Sequence, residues 1–234
     1  MTRRLLKLLH TSDLHLGSDI YPDDALHGFK LVLQLARERS VDAVIVAGDL
    51  FDNRSVSLQL VQEVFQGFGA LGRPVVVLPG NHDTALMNGS FDVGTLPDGV
   101  QLILERGGET VDLDQLGLSV WGEPVYDHSP DFRPMGALQA RRSENWYIGL
   151  AHGLVTDNDP YGEYSSKITP EELSSADCDY VALGHVHVFR DVTSGDGAPA
   201  FYSGAPSGGR SPTAAIVSMD PGAGVSVEAV RLKR

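Results

Sequence analysis

Val44-Ile45-Val46-Ala47-Gly48-Asp49-Leu50-Phe51-Asp52 is the stretch on which the fold turns. A short run of apolar, β-branched residues halts at a Gly-Asp pair, the pattern of a buried parallel strand that empties into a loop. Open α/β sheets place their chemistry at the carboxyl ends of such strands. Gly-Asp is also an ordinary turn, so Asp49 alone carries little. Its company carries more: Asp13 and His15 precede it, and Asn81, His82, His152, His185 and His187 follow.

Working outward, residues 5–11 predict a first strand, with Asp13-Leu14-His15 in the loop after it. Leu26, Phe29, Leu33 and Ala36 recur at helical spacing and predict an amphipathic helix over about 24–39. The strand of the opening stretch spans 41–47. Leu58, Val61, Phe65 and Phe68 make a second helical stripe, with Gly67, Gly69 and Gly72 marking its end. Residues 74–80 form a third strand that runs into Asn81-His82-Asp83. The first third is therefore β-α-β-α-β, with a polar cluster after each strand.

Downstream, short strands are expected at 100–104, 109–113 and 118–121, and an apolar strand over 146–151 ends at His152. Residues 157–167 are polar and read as an exposed loop. Thr169-Pro170-Glu171-Glu172 combines an N-cap, a proline at the first helical position and acidic residues in the first turn, so a short helix starts there. Strands at 180–183, 199–202, 214–219 and 225–232 complete the chain. No internal repeat or linker divides it, so residues 1–234 are expected to form one domain.

A length of 234 residues is enough for a substantial core. The formal net charge of −13 argues against a general electrostatic grip on duplex DNA, although bound cations would offset carboxylates locally. The one cysteine, Cys178, has no intrachain disulfide partner and implies no oxidising compartment. The basic and apolar start, Met1 to Leu9, is interrupted by Lys7 and lacks a small-residue cleavage site, so it reads as a strand rather than a signal peptide. No apolar run is long enough to span a membrane, and a cytoplasmic location is expected.

Carboxylate, imidazole and amide oxygen together suit divalent transition metals. Asp13 and His15, two residues apart on extended backbone, can point the same way and hold one ion, with His187 completing that site. Asp49 has two oxygens and could bridge to a second ion held by Asn81, His152 and His185. Only two of these ligands are anionic, so the site would stay net positive and suit a phosphate ester. Two ions about 3.5–4 Å apart can share a hydroxide and clamp the attacking and leaving oxygens of an in-line displacement. His82 would then be the general acid on the leaving oxygen, with the Asp52 carboxylate orienting its imidazole and stabilising the charged form.

Asp13-x-His15, Gly48-Asp49-x-x-Asp52, Gly80-Asn81-His82-Asp83, the strand-end His152 and Gly184-His185-x-His187 together resemble the calcineurin-like metallophosphoesterase family, motif by motif and in order. The resemblance implies an α/β fold arranged as a four-layer α-β-β-α sandwich, two mixed β-sheets flanked by helices. It also implies a centre of two divalent metal ions, manganese first with iron or zinc as alternatives. In that centre Asp49 bridges, His82 is catalytic and Asp52 is its partner. Within the family, His10-Thr11-Ser12-Asp13-Leu14-His15-Leu16-Gly17, Asp179 through His185, and Tyr202-Ser203-Gly204-Ala205-Pro206 resemble the double-strand-break repair exonuclease branch. Those nucleases continue into a DNA-capping domain and a segment that binds an ATPase partner. This chain ends soon after Pro206, so processive action on duplex ends is not expected of it.

The leading expectation is a dinuclear phosphoesterase that cleaves phosphodiesters, with nucleic acid or a nucleotide-like molecule as substrate. A small-molecule phosphodiesterase or nucleotide pyrophosphatase is the alternative, carried by the acidic charge and the short C-terminal part. Protein-phosphatase chemistry is disfavoured because Asn53-Arg54-Ser55 follows Asp52 where that class has Arg-Gly. A non-enzymatic scaffold of the same fold would show gaps in the motifs, and none is present. Outside the motifs, His10 is expected to pack within its strand, His27 to lie on a helix surface, and His128 to be structural. Asp83 is expected to cap the turn after His82. Asn53, Arg54, Tyr161, Tyr164 and Arg210 read as solvated loop residues, and Cys178 as a small buried one.

Overall fold

The computed structural model describes residues 3–20, 22–52, 56–89, 91–92, 96–159, 162–208 and 211–233. Asn53, Arg54, Tyr161 and Arg210 lie outside the described residues. Strands β1 (Leu6–Thr11), β2 (Ala43–Ala47), β3 (Val75–Leu78) and β4 (Val100–Leu102) pair in parallel, one beside the next. A second sheet is built on β5 (Glu109–Leu113), β6 (Leu118–Gly122), β7 (Trp146–His152), β10 (Tyr180–Gly184), β11 (Arg190–Asp191) and β12 (Ala200–Tyr202), ordered β11-β12-β10-β7-β6-β5. Between β7 and β10 the short strands β8 (Leu154–Val155) and β9 (Lys167–Ile168) pair with each other. Strands β13 (Thr213–Asp220) and β14 (Gly224–Arg231) extend the first sheet past β1, giving the order β14-β13-β1-β2-β3-β4. Both sheets are mixed, since each carries antiparallel pairs at its edges.

The continuous apolar runs of β2 and β3 follow from burial on both faces. Val44, Val46, Val75 and Val77 point to helices α1 (Pro22–Glu38) and α2 (Leu58–Gly69). Ala43, Ile45, Ala47, Val76 and Leu78 alternate to the other side and meet Val120, Ile148, Leu150 and Ala182 of the second sheet. Each such side chain, fully buried, stabilises the fold by about 1.5–3 kcal/mol for the larger aliphatics. The far face of the second sheet (Trp121, Tyr147, Val181, Leu183) is covered by Met135, Ile168 and Leu173. Leu173 lies on α4 (Pro170–Ser175), which starts at Thr169 with the capping box that Thr-Pro-Glu-Glu announces. The expected four layers are present, with a thin outer layer: one six-residue helix and irregular chain.

Several local expectations shift. Leu26 and Leu58 are exposed, and Ala25 and Val64 take the buried positions of their helices. Gly67 lies inside α2, where a Cβ would press on the Phe29 ring at 3.1 Å, whereas Gly69 is its last residue, as expected, and a Cβ there would strike Pro97. The 157–167 loop runs into β9, and a four-residue helix α3 (Thr84–Met87) follows the third motif. His10 packs as expected, fully buried with Nδ1 2.9 Å from the Tyr180 hydroxyl, and His27 is exposed on α1.

Past the strands, the backbone keeps pairing. Asp13 N–H donates to Gly48 O, His15 N–H to Asp49 O, Leu16 N–H to Leu50 O, and Asp52 N–H back to Leu16 O. Asp83, fully buried, does more than cap its turn. Its carboxylate accepts from Gly80 N–H at 2.8 Å, Phe51 N–H at 2.7 Å and Leu50 N–H at 3.1 Å, so it staples the loop after β3 to the loop after β2. Burial, then the nearby Asp49, push its pKa up to about 7 against these three bonds. Opposite, Gly184 lies on the Ala47 carbonyl so closely that a Cβ would come within 1.7 Å of its oxygen. The strand ends of the two sheets thereby converge on one point.

Asp83→Ala would orphan three buried donors and is expected to lower unfolding stability by on the order of 3 kcal/mol, read by urea denaturation. His10 gives a second test. Burial pulls its pKa down to about 3, whereas in the unfolded chain it titrates near 6.5. Its neutral form is therefore an acid-side liability: stability is complete above about pH 6.5 and is lost as pH falls toward 3, on the order of 1 kcal/mol per unit. In metal-free protein, His10→Gln is expected to be less stable at pH 7 and to lose less stability than wild type between pH 6.5 and 5.

Candidate metal centre

The site sits where β1, β2, β3, β7 and β10 end. Asp13 and Asp49 are buried at its floor, and among the described residues no lysine or arginine pairs with either. Such a placement needs cationic compensation from somewhere. Six non-glycine residues among those described have positive φ, and four of them are candidate ligands: Asp13 at +54°, His15 at +49°, Asp49 at +51° and His185 at +98°. Positive φ is uncommon outside glycine, Asp and His tolerating it better than most residues, and such conformations gather at functional sites. The paired loops impose them, because the chain must turn sharply after each strand to aim its donors at one centre.

Three groups of donors form among the described residues: one joins His15 with Asp52 and His82, and the other two contain the residues expected as ligands. In one of these two, Asp13, His15 and His187 converge, with His15 Nε2 3.3 Å from His187 Nε2 and Asp13 Oδ1 3.6 Å from His187 Nε2. In the other, Asp49, His152 and His185 converge, with His152 Nε2 3.2 Å from both Asp49 Oδ2 and Asn81 Oδ1. Asp49 Oδ2 also stands 4.0 Å from His15 Nε2, so one carboxylate faces both groups. All seven residues read from the sequence as ligands are thus brought together.

The fit to cations can be tested at His152. Its Nδ1 lies 2.9 Å from the Ala47 carbonyl, which can only accept, so Nδ1 carries hydrogen. In a neutral ring Nε2 is then a lone pair, and it faces a carboxylate and an amide oxygen. Three acceptors meeting in a buried space call for a cation or a proton between them. Without an ion the proton is retained: burial works against it, but the Asp49 charge and hydrogen bond raise the His152 pKa to about 9. Asp49 is moved the other way, held below the usual carboxylate range by His152 despite its burial. Asp13 is pushed up by burial, partly relieved by His152.

The surrounding bonds hold the donors in place. Ser12 Oγ donates to Asp13 Oδ2 and lies 3.0 Å from Ser203 Oγ, while His185 N–H reaches both Asp13 oxygens. Tyr202 hydroxyl donates to Gly153 O and accepts from Val155 N–H. The Tyr202-Ser203-Gly204 stretch therefore braces the loops that carry Asp13 and His152. His82 N–H donates to Asp49 Oδ1 at 3.0 Å.

Asp52 departs from expectation. Its main-chain oxygen, 2.7 Å away, accepts from His82 Nδ1, while its carboxylate stands 4.0 Å from that nitrogen and 3.0 Å from His15 Nδ1. The Asp52 carbonyl, not its carboxylate, is therefore the nearer partner of the His82 ring. His128 was expected to be structural only, yet its ring centroid lies 6.1 Å from that of His185. It comes from an irregular stretch with no strand before it, which leaves no positional signal in the sequence. Tyr164 is exposed, and Cys178 is half-buried with its thiol pushed up to about 12 by burial.

Residues 6–189 match the calcineurin-like phosphoesterase family. The chain is 28% identical to the metallophosphoesterase YhaO of Bacillus subtilis over 85% of this chain and 52% of that one. It is 30% identical to the DNA double-strand break repair protein Mre11 of Aeropyrum pernix over 79% of this chain and 49% of that one. It thus spans about half the length of these curated relatives. The crystal structure of TT1561 of Thermus thermophilus superposes with a TM-score of 0.65 at 12% identity, covering 98% of this chain and 100% of the other, a likeness of fold. With the family's ordered motifs meeting at one centre, the chain belongs to the calcineurin-like phosphoesterase family.

Proposed function

We propose that this chain is a dinuclear-metal-dependent phosphodiesterase of nuclease-like type, with residues 1–234 acting as one cytoplasmic catalytic domain. The meeting of three acceptors at His152 supports this reading most directly. Asp13, His15 and His187 would hold one divalent cation and Asn81, His152 and His185 a second, with Asp49 reaching both. Manganese is the first choice, and iron or zinc would suit the same donors. When bound, the ions would supply Lewis-acid neutralisation of the phosphoryl charge and of the attacking water.

The chain's own contribution centres on His82, whose side chain is 42% exposed. A carbonyl accepts its Nδ1 hydrogen, so in the imidazolium form the transferable proton is the one on Nε2. Placed there, it can be given to the leaving oxygen of a diester. Asp52 acts on this ring through its main chain and on His15 through its carboxylate. His152 is oriented by the Ala47 carbonyl, the kind of outer contact that fixes a ligating imidazole.

The relationship to Mre11 favours nucleic acid as substrate. A second reading, a small-molecule phosphodiesterase, is favoured by the cleft beside the centre. It holds about 450 Å³ and runs from His82 and His187 to Ala25, Ser207 and Gly208, with no lysine or arginine among its described lining residues. The net charge of −13 points the same way. A scaffold role is disfavoured by the complete donor set.

Manganese added to chelator-stripped protein is expected to support hydrolysis of bis-p-nitrophenyl phosphate in preference to p-nitrophenyl phosphate. His82→Ala is expected to lower kcat by about 10²–10⁴-fold without changing manganese content. His152→Ala should reduce tight manganese binding from two ions per chain to one, measured by calorimetric titration. Monoester preference, or full diester turnover by the His82→Ala protein, would contradict the proposal. Comparing single-stranded DNA with cyclic nucleotides as substrates then separates the two readings.

A further inference from the structure

Among the described residues, His128 is the one exposed imidazole at the centre that the proposed ligand set and proton donor leave unused. It does not hang freely. Its Nδ1 lies 3.0 Å from Ser166 Oγ, and its ring stands tilted at 54° over His185. Ser166 is itself buried and held at φ +52°, a conformation that costs a serine on the order of 1 kcal/mol. Three contacts enforce it: Ser166 N–H donates to Ser129 O, Ser166 O accepts from Leu154 N–H, and Gly153 packs on that same carbonyl, where a Cβ would come within 2.1 Å. A strained, buried serine thus presents its hydroxyl to an exposed histidine from a fixed position.

The two exposed flanks of the centre are alike in plan. On the side of His15, whose ring lies 5.1 Å from that of His82, His82 is tied by Nδ1 to a carbonyl. On the side of His185, His128 is tied by Nδ1 to a hydroxyl. The difference in partner is chemical. A carbonyl can only accept, whereas a serine hydroxyl can donate to Nδ1 and leave the hydrogen on Nε2. Nε2 of His128 makes no hydrogen bond among the described residues. A neutral imidazole held this way offers an N–H donor beside the second group of ligands, suited to an anionic oxygen rather than to proton transfer.

We infer that His128, positioned by Ser166, is a substrate-binding residue that donates Nε2–H to a non-bridging phosphoryl oxygen on the His185 side of the centre. This rests on the phosphodiesterase reading and adds a contact that the five motifs do not include. One hydrogen bond to an anionic oxygen corresponds to roughly a 10-fold change in affinity.

The test uses the manganese-loaded full chain. His128→Ala is expected to raise KM for bis-p-nitrophenyl phosphate about 10-fold while kcat changes less than about 3-fold, and to weaken inhibition by inorganic phosphate by a similar factor. Ser166→Ala should move both in the same direction by a smaller factor, and His128→Gln, which keeps an N–H at similar reach, should recover part of the loss. Unchanged KM and phosphate inhibition in His128→Ala would overturn the inference, as would loss of a manganese ion or a fall in kcat alone. Should the wild type fail to cleave the diester, the phosphodiesterase reading falls. Calorimetric titration of inorganic phosphate into manganese-loaded wild type and His128→Ala still decides the role of His128.

Discussion

Two carboxylates, Asp13 and Asp49, are buried side by side with no basic side chain at hand among the described residues, and much of the structure answers that constraint. Like charges in a water-poor space repel strongly, and each carries a desolvation penalty. The fold meets this with imidazoles in place of ammonium or guanidinium groups. Imidazole can be neutral and ligating or charged and compensating, so the same side chains can balance the carboxylates with or without an ion. A fixed cation such as arginine would neutralise the pair permanently and close the place where a metal could bind.

Aiming the imidazoles inward dictates the backbone. The chain leaves β1, β2 and β10 through left-handed residues that are not glycine, and such conformations persist only where surroundings over-determine them. Here the surroundings are two six-stranded sheets whose shared core is packed with aliphatic side chains, together with loops that continue the strand pairing past the strand ends. Gly48 and Gly184 allow the loops and sheets to touch, since a side chain at either would overlap His152 or Ala47.

Much of this was legible in the sequence because strand ends are legible. Apolar runs that stop at Asp13, Asp49, Asn81, His152 and His185 announce both a parallel sheet and the place where its chemistry belongs. Periodicity, however, assigns a residue to a face without giving its partner. Asp83 looks like a turn cap until Leu50 and Phe51, more than thirty positions earlier, are seen to donate to it. Asp52 is two groups, a carboxylate and a carbonyl, and sequence spacing does not say which of them meets His82. Gly67 reads as a helix end because local propensity knows nothing of Phe29. His128 and Ser166 lie in irregular chain, where neither period applies and only tertiary structure sets distances.

The staple made by Asp83 also bears on how the centre would handle its ions. Loops stapled to one another through the Asp83 carboxylate have little conformational freedom left to lose, so binding an ion would order little further backbone. Affinity would then reflect donor chemistry and desolvation more than folding. Ions could enter and leave through the exposed His187 side while the sheets stay closed. Such a centre would behave as a rigid socket, with its occupant set by which cation the surroundings provide.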